Sequence, residues 1–424
     1  GDQAIPVFLR SESGTIASPE DLRNLYVRSR GGVLIPMSAL TRIVDLCLAE
    51  RVDALLVAGD LYDRDQTSMK TAGFLARQFA RLTGAGIRVF LIRGNHDAAA
   101  RISGELRLPE GAHLFGPRDA PVVLEGAADG RDVAVHGASF RRIEGPADPL
   151  AAFAAPVAGA LNVAMLHTSL GGASGHDPYA PVSVGDLAGA GMDYWALGHI
   201  HARHVAMERP AIVMPGIPQG RDIGEAGART VTLATLAADG AVALAEHDLS
   251  VARFERCAVD VTPCEGLEET VARATEAMEA AAGPGPERIL RVVLEGRTPL
   301  AWRLREDRDL IAERLSGEAA ARPGLWFEKL ELACTAPTAA PESSAPLAEL
   351  ERLIARDVAG SEAFRDEAAD ILHRLRQSLP GVAGLRALTG RDEAEQAALI
   401  EELLAEGTAE VLARLHATER GGED

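Results

Sequence analysis

Over roughly the first 250 positions, apolar residues alternate between helical spacing and short unbroken runs. Ile43, Val44, Leu46 and Cys47 recur at helical spacing, and the run DALLVA at 53–58 has the length and composition of a buried strand. A helix is predicted over 69–82 and a strand over 87–92 (IRVFLI). Further strands are predicted at 133–136, 161–166, 194–197, 211–214 and 230–236, each short and closely followed by Gly, Asn, Asp or His. Helical segments alternating with such strands predict an α/β domain. Between about 253 and 334 the order changes to strand (257–261), helix (267–282), strand (289–294), helix (305–315) and strand (325–332), a small separate α+β domain. PTAAPESSAP at 337–346 reads as a linker. Beyond it, Phe364, Ala368, Ile371, Leu372, Leu375 and Leu379 form one helical stripe. Asp392 and Glu395 form an N-cap signal before a second stripe of Leu399, Ile400, Leu403, Leu404, Val411, Leu412 and Leu415. The expected domains are therefore 1–250, 251–336, the linker 337–346 and a helical region 347–424.

Composition narrows the class. At 424 residues the chain exceeds what one core usually organises, and 47% hydrophobic with 25% charged residues is ordinary for a globular protein. No apolar run approaches the length of a membrane span and no signal pattern opens the chain, so no membrane association and a cytoplasmic location are expected. The chain starts at Gly1 rather than Met, from which a fragment or a processed chain is expected. Cys47, Cys257, Cys264 and Cys334 are scattered without C-x-x-C spacing, which argues against a disulfide framework or a structural zinc site. The net charge of −19 argues against coating nucleic acid by bulk attraction. From Pro341 onward there are 18 acidic and 9 basic residues, so much of that charge belongs to the tail.

The polar motifs stand just past predicted strand ends, where open α/β sheets place their chemistry. Gly59-Asp60-Leu61-Tyr62-Asp63 offers a carboxylate able to bridge cations, although a Gly-Asp turn is also ordinary turn chemistry. Gly94-Asn95-His96-Asp97 offers an amide oxygen for metal and an imidazole for a phosphate oxygen. His167 ends the strand at 161–166, and Gly198-His199-Ile200-His201 follows the strand at 194–197. In extended chain His199 and His201 project to one face, so both imidazoles are expected to address one metal cluster. Any one histidine reads equally as a core residue; four such motifs together do not.

In this order the motifs resemble the calcineurin-like metallophosphoesterases. The neighbouring text LHTSL (166–170), HDPYAP (176–181), YWALGHIH (194–201) and PGIPQGRDIGE (215–225) resembles the YhaO-like DNA-repair exonucleases, related to the SbcD nucleases. The similarity covers about residues 40–332. It implies a four-layer α/β metallophosphoesterase β-sandwich flanked by helices, a small α+β capping domain and a C-terminal helical tail. It also implies two Mn²⁺ ions: Asp60 bridging them, Asn95, His167 and His199 completing one site, and His201 serving the other. His96 is the implied catalytic residue, stabilising charge at the scissile phosphate. The implied partners are DNA, an SMC-like coiled-coil ATPase held by the C-terminal helices, and a second copy in a homodimer.

One part of the family pattern is missing. The first strand should carry Asp-x-His, yet the best register places Ser13 and Thr15 at those ligand positions, and no histidine precedes His96. A hydroxyl is a poor replacement for a carboxylate on a divalent cation. Three origins fit this gap: genuine loss of one metal, compensation by a nearby carboxylate such as Glu12, Asp2 or Asp21, or a defective N-terminal reading of the gene. Weak activity is therefore expected. Arg101, Arg107, Arg141, Arg142, Arg203 and Arg221 could steer a phosphate backbone, Arg221 first among them, and His176 could cover the site. His136, His204 and His247 read as structural. The competing functional readings are a DNA exonuclease subunit, a non-catalytic scaffold that binds DNA ends or the ATPase, and a small-molecule phosphodiesterase.

Overall fold

The computed structural model describes residues 26–28, 34–36, 38–61, 69–99, 107–140, 145–171, 179–335, 349–350, 352–359 and 361–378, together with 396–401, 403–404, 407–408 and 411. Ser13, Thr15, Asp2, Glu12, Asp21, Tyr62, Asp63, Arg101, Arg141, Arg142, His176 and the linker 337–346 lie outside these residues. The chain divides into two compact units, residues 1–254 and 255–424.

In the first unit the elements run β1 (Tyr26–Arg28), β2 (Leu34–Pro36), α1 (Ser38–Glu50), β3 (Ala54–Ala58), α2 (Met69–Gly84), β4 (Arg88–Ile92), α3 (Asn95–Ala99), β5 (Ala112–Leu114), β6 (Val122–Ala128), β7 (Arg131–Gly137), β8 (Leu161–His167), α4 (Val184–Gly189), β9 (Tyr194–Gly198), β10 (His204–Glu208), β11 (Ala211–Met214), β12 (Thr230–Leu236) and β13 (Val242–Asp248). β3, β4 and β5 form one parallel sheet. The other has the order β10-β11-β9-β8-β7-β6, parallel in its middle with antiparallel edges at β10 and β6.

Side-chain alternation builds the layers. Phe90 and Ile92 of β4, Val163 and Met165 of β8, Tyr194 and Ala196 of β9 and Val213 of β11 fill the core between the two sheets. On the far side of β4, Val89 and Leu91 pack with Val44 and Cys47 of α1 and Leu75, Phe79 and Leu82 of α2. On the far side of the larger sheet, Leu166, Trp195, Leu197 and Ile212 pack against Leu187 of α4. The result is helix, sheet, sheet, helix: two facing sheets flanked by helices. Every residue of β8 is buried, the signature of a strand covered on both faces.

Some predicted details differ. The β6–β7 hairpin turns at Asp129-Gly130, both at positive φ, a tight-turn dipeptide that the strand prediction at 133–136 passed over. β1, β2, β5, β6, β10 and β13 arise beyond the predicted set; β6, β10 and β13 are antiparallel partners of predicted strands, and their half-exposed patterns weaken a purely apolar signal.

The second unit opens after the start of β14 (Ala252–Asp260) and continues through α5 (Leu267–Ala281), β15 (Glu287–Glu295), α6 (Ala301–Glu306), α7 (Arg308–Ala320) and β16 (Leu325–Leu332). The expected helix at 305–315 is in fact two, breaking at Asp307; Leu304 belongs to α6 and Ile311 and Leu315 to α7, and all three are buried. The tail holds α8 (Glu362–Ser378), and Arg365 pairs with Glu401 at 2.6 Å. Among the described residues no helix is long and apolar enough to cross a membrane. All four cysteines are buried and free, as their scatter predicted.

Candidate metal centre

The carboxyl ends of β3 and β4 in one sheet meet those of β8 and β9 in the other. β3 leaves its sheet through Gly59 at φ +94° and Asp60 at φ +53°. A Cβ on Gly59 would stand 2.5 Å from His167 Nδ1, so the absence of a side chain lets the backbone of one sheet touch the histidine of the other. His199, immediately after β9, has φ +105°, an unusual conformation for a residue with a side chain and one that clusters at functional sites.

His167 is completely buried. Its Nδ1 donates to the Ala58 carbonyl at 2.8 Å, which leaves Nε2 facing Asn95 Oδ1 at 3.0 Å and Asp60 Oδ2 at 3.2 Å. With the ring proton on Nδ1, these three atoms are all electron-pair donors pointing at one another. Such a convergence is satisfied by a cation set among them. His199 joins the group: ligand atoms of Asp60, His167 and His199 all lie within 4.8 Å of one another. One carboxylate, one amide oxygen and two imidazoles fit a divalent transition metal. A second proton on His167 would bind Asp60 instead: burial pushes the Asp60 carboxyl up, but the hydrogen bond and charge of a doubly protonated His167, with His96 adding to them, outweigh it and hold the pKa below the ordinary value.

Asp60 Oδ1 accepts from the His96 backbone N–H at 3.0 Å, so His96 is tethered to that carboxylate through its main chain. Asp97 is the joint between the two loops: its Oδ2 accepts from Gly94 N at 3.0 Å and from Leu61 N at 3.2 Å. The spacing of Asp97 three residues after Gly94 was a readable signal for the first of these bonds. Asp97→Ala would strand both N–H groups in a largely buried setting, and a loss of about 2–3 kcal/mol of stability is expected in urea unfolding of the purified chain. A stability change within about 0.5 kcal/mol would show that water replaces the carboxylate.

Tyr179 forms another wall. Its ring lies 5.4 Å from that of His167 and 5.7 Å from that of His199, and its backbone is pinned by Ser169, whose N–H donates to the Tyr179 carbonyl and whose Oγ accepts from the Tyr179 N–H, each at 2.8 Å. Burial, together with the charges of Asp60 and Asp97, drives its phenol well above the ordinary range, so it stays protonated.

His201 does not join the Asp60, His167 and His199 cluster among the described residues. The expectation that His199 and His201 share a face assumed extended chain; β9 ends at Gly198 and the positive φ of His199 breaks the alternation. His201 Nδ1 instead donates to Glu225 Oε1 at 2.5 Å. Arg221 is held by the same carboxylate, with its Nη2 2.6 Å from Oε1 and its backbone N–H donating to Oε2 at 2.8 Å. Burial pushes Glu225 up, but the bonds from His201 and Arg221 prevail and bring it down to about 2. The Arg221 guanidinium, expected on a phosphate, is thus turned onto Glu225. Arg203 pairs with Glu246 at 3.4 Å and Arg107 is exposed. His136 is buried with its Nε2 3.0 Å from Asn162 Oδ1, the structural role its sequence context suggests, and His204 is exposed.

Comparison with known proteins places these features. Residues 36–203 match the family described as calcineurin-like phosphoesterase, and residues 254–335 match the one described as metallophosphoesterase YhaO, middle domain. The uncharacterized metallophosphoesterase YhaO of Bacillus subtilis (strain 168) is 32% identical over 282 residues, covering 66% of this chain and 68% of that protein.

Proposed function

Because the chain belongs to the calcineurin-like metallophosphoesterases, metal-dependent phosphoester hydrolases, we propose that it is a Mn²⁺-dependent DNA exonuclease subunit acting in DNA repair. The observation that carries the hydrolase chemistry is the convergence of His167 Nε2, Asn95 Oδ1 and Asp60 Oδ2 beneath the strand ends. The resemblance of LHTSL, YWALGHIH and PGIPQGRDIGE to YhaO-like exonucleases supports DNA as the substrate. Asp60, Asn95, His167 and His199 would hold the first cation. When bound, metal supplies Lewis-acid activation of water and neutralises charge on the attacking and leaving oxygens. Asp60 orders the His96 main chain, and the half-exposed His96 ring would donate to a phosphate oxygen. Exposed Leu350, Leu353, Phe364, Ile371, Leu403 and Val411 in the helical tail support docking of a coiled-coil ATPase there.

The test is hydrolysis by the full chain with Mn²⁺ of an end-labelled duplex DNA against a small aryl phosphodiester. Shortening of DNA from its ends is expected; cleavage of the aryl ester alone overturns the exonuclease reading. A second reading, the non-catalytic scaffold, is favoured by Ser13 and Thr15 standing at the missing ligand positions. Metal stoichiometry separates the two. Calorimetric titration is expected to show one tight cation and a second weaker by about 10-fold or more, as loss of supporting groups costs. A single cation with no hydrolysis of either substrate would leave the scaffold.

A further inference from the structure

His201 is gripped from a part of the chain the first metal cluster does not use. Glu225 Oε1 lies 2.5 Å from its Nδ1, and Arg221 Nη2 lies 2.6 Å from that oxygen and 2.9 Å from the same Nδ1. A guanidinium only donates and a carboxylate only accepts. One arrangement satisfies all three groups: Nδ1 carries a proton and donates to Glu225, and Arg221 donates to Glu225 as well. The close approach of Arg221 to His201 is then a by-product of both converging on one oxygen. In the neutral ring Nε2 is then a lone pair.

The main chain is clamped with equal care. Arg229 donates from Nη1 to the His201 carbonyl at 3.2 Å, from Nε to the Glu225 carbonyl at 2.9 Å and from Nη2 to the Ala226 carbonyl at 2.9 Å. Asp222 accepts from Gly224 N at 2.8 Å and starts the short turn Ile223–Glu225 that delivers the carboxylate. One arginine therefore fixes the two backbones whose side chains meet.

We infer that Glu225 is a positioning residue: it fixes His201 in the Nδ1–H form and so presents Nε2 as the ligand atom for a second cation. The inference rests on the metallophosphoesterase reading of the site. It bears most on this chain because the family's Asp-x-His motif is missing from the sequence before His96, so the remaining histidine of that second position matters more. A carboxylate on the far nitrogen of a metal-binding histidine orients the ring and makes it more basic, and its loss typically weakens metal affinity or activity by about 10–100-fold.

The test uses the full chain carrying isotope-labelled histidine. Long-range proton–nitrogen correlation spectra, with His201 assigned from its absence in His201→Asn, report which ring nitrogen bears the proton. Wild type and Glu225→Gln, whose amide oxygen still accepts from Nδ1–H, should show Nδ1 protonated; Glu225→Met, similar in length, should shift His201 toward the Nε2–H form. In titrations with Zn²⁺ alone, the weaker of two binding events should fall by about 10–100-fold in Glu225→Met and recover in Glu225→Gln. An unchanged tautomer or an unchanged weaker event in Glu225→Met overturns the inference. So does a wild-type His201 already in the Nε2–H form, a measurement that needs no folded variant. These readouts require no turnover, so a chain that shows them and cleaves no phosphodiester retains this inference and loses the hydrolase reading.

Discussion

Asp60→Asn is expected to lower metal-dependent phosphodiester hydrolysis by about 10³-fold or more while leaving the chain folded. The substitution is nearly isosteric, and an amide oxygen can still accept from the His96 N–H that now reaches Oδ1 at 3.0 Å. It deletes the negative charge 3.2 Å from His167 Nε2 and, if the amide nitrogen turns inward, adds a donor where the cation would sit. By the family pattern Asp60 serves both cation positions, so no other single change reaches as far. Initial rates with Mn²⁺, paired with calorimetric metal titration, measure the effect. Near-wild-type rates from the metal-loaded Asp60→Asn variant would mean that the hydrolytic centre lies elsewhere.

Gly94→Ala is expected to cost about 10²-fold in rate, the penalty of moving catalytic groups by about 1 Å, although it removes no functional group. An added Cβ would run into Asp60 Oδ1 and stand 2.8 Å from Asp60 Cγ and 2.7 Å from His167 Cε1. His167 is completely buried and cannot swing aside, so Asp60 or the loop carrying Asn95 and His96 must shift. The loop is also tied through Gly94 N to Asp97, which spreads the displacement to Leu61. The decisive comparison is kcat together with metal affinity: both should fall, whereas an intact affinity with wild-type kcat would show that the strand ends have slack.

Much of the centre is legible along the chain because local rules act over a few residues. A run such as LNVAML buries on both faces and is a strand wherever it lies; a Gly-Asp or Gly-Asn-His after such a run puts its side chains at the strand end. Those rules located Asp60, Asn95, His96, His167 and His199. At His201 the backbone departs from the extended chain they assumed, because β9 ends at Gly198 and His199 has a positive φ. They were silent on Glu225, whose meeting with His201 depends on a turn 24 residues later, and on α6 and α7, where a break at Asp307 interrupts one predicted helix.

By itself, then, the amino-acid order determined the layers, the family and the residue types at four strand ends, because each follows from side-chain period and from chemistry at a fixed short spacing. Only the tertiary structure decided what each imidazole does. The proton on His167 is placed by the Ala58 carbonyl, a backbone atom that any residue would supply, 109 residues away in the chain. The proton on His201 Nδ1 is placed by the Glu225 carboxylate, which Arg221 holds directly while Arg229 holds the Glu225 main chain. Hydrogen-bond partners brought together across such distances leave no spacing in the sequence to read.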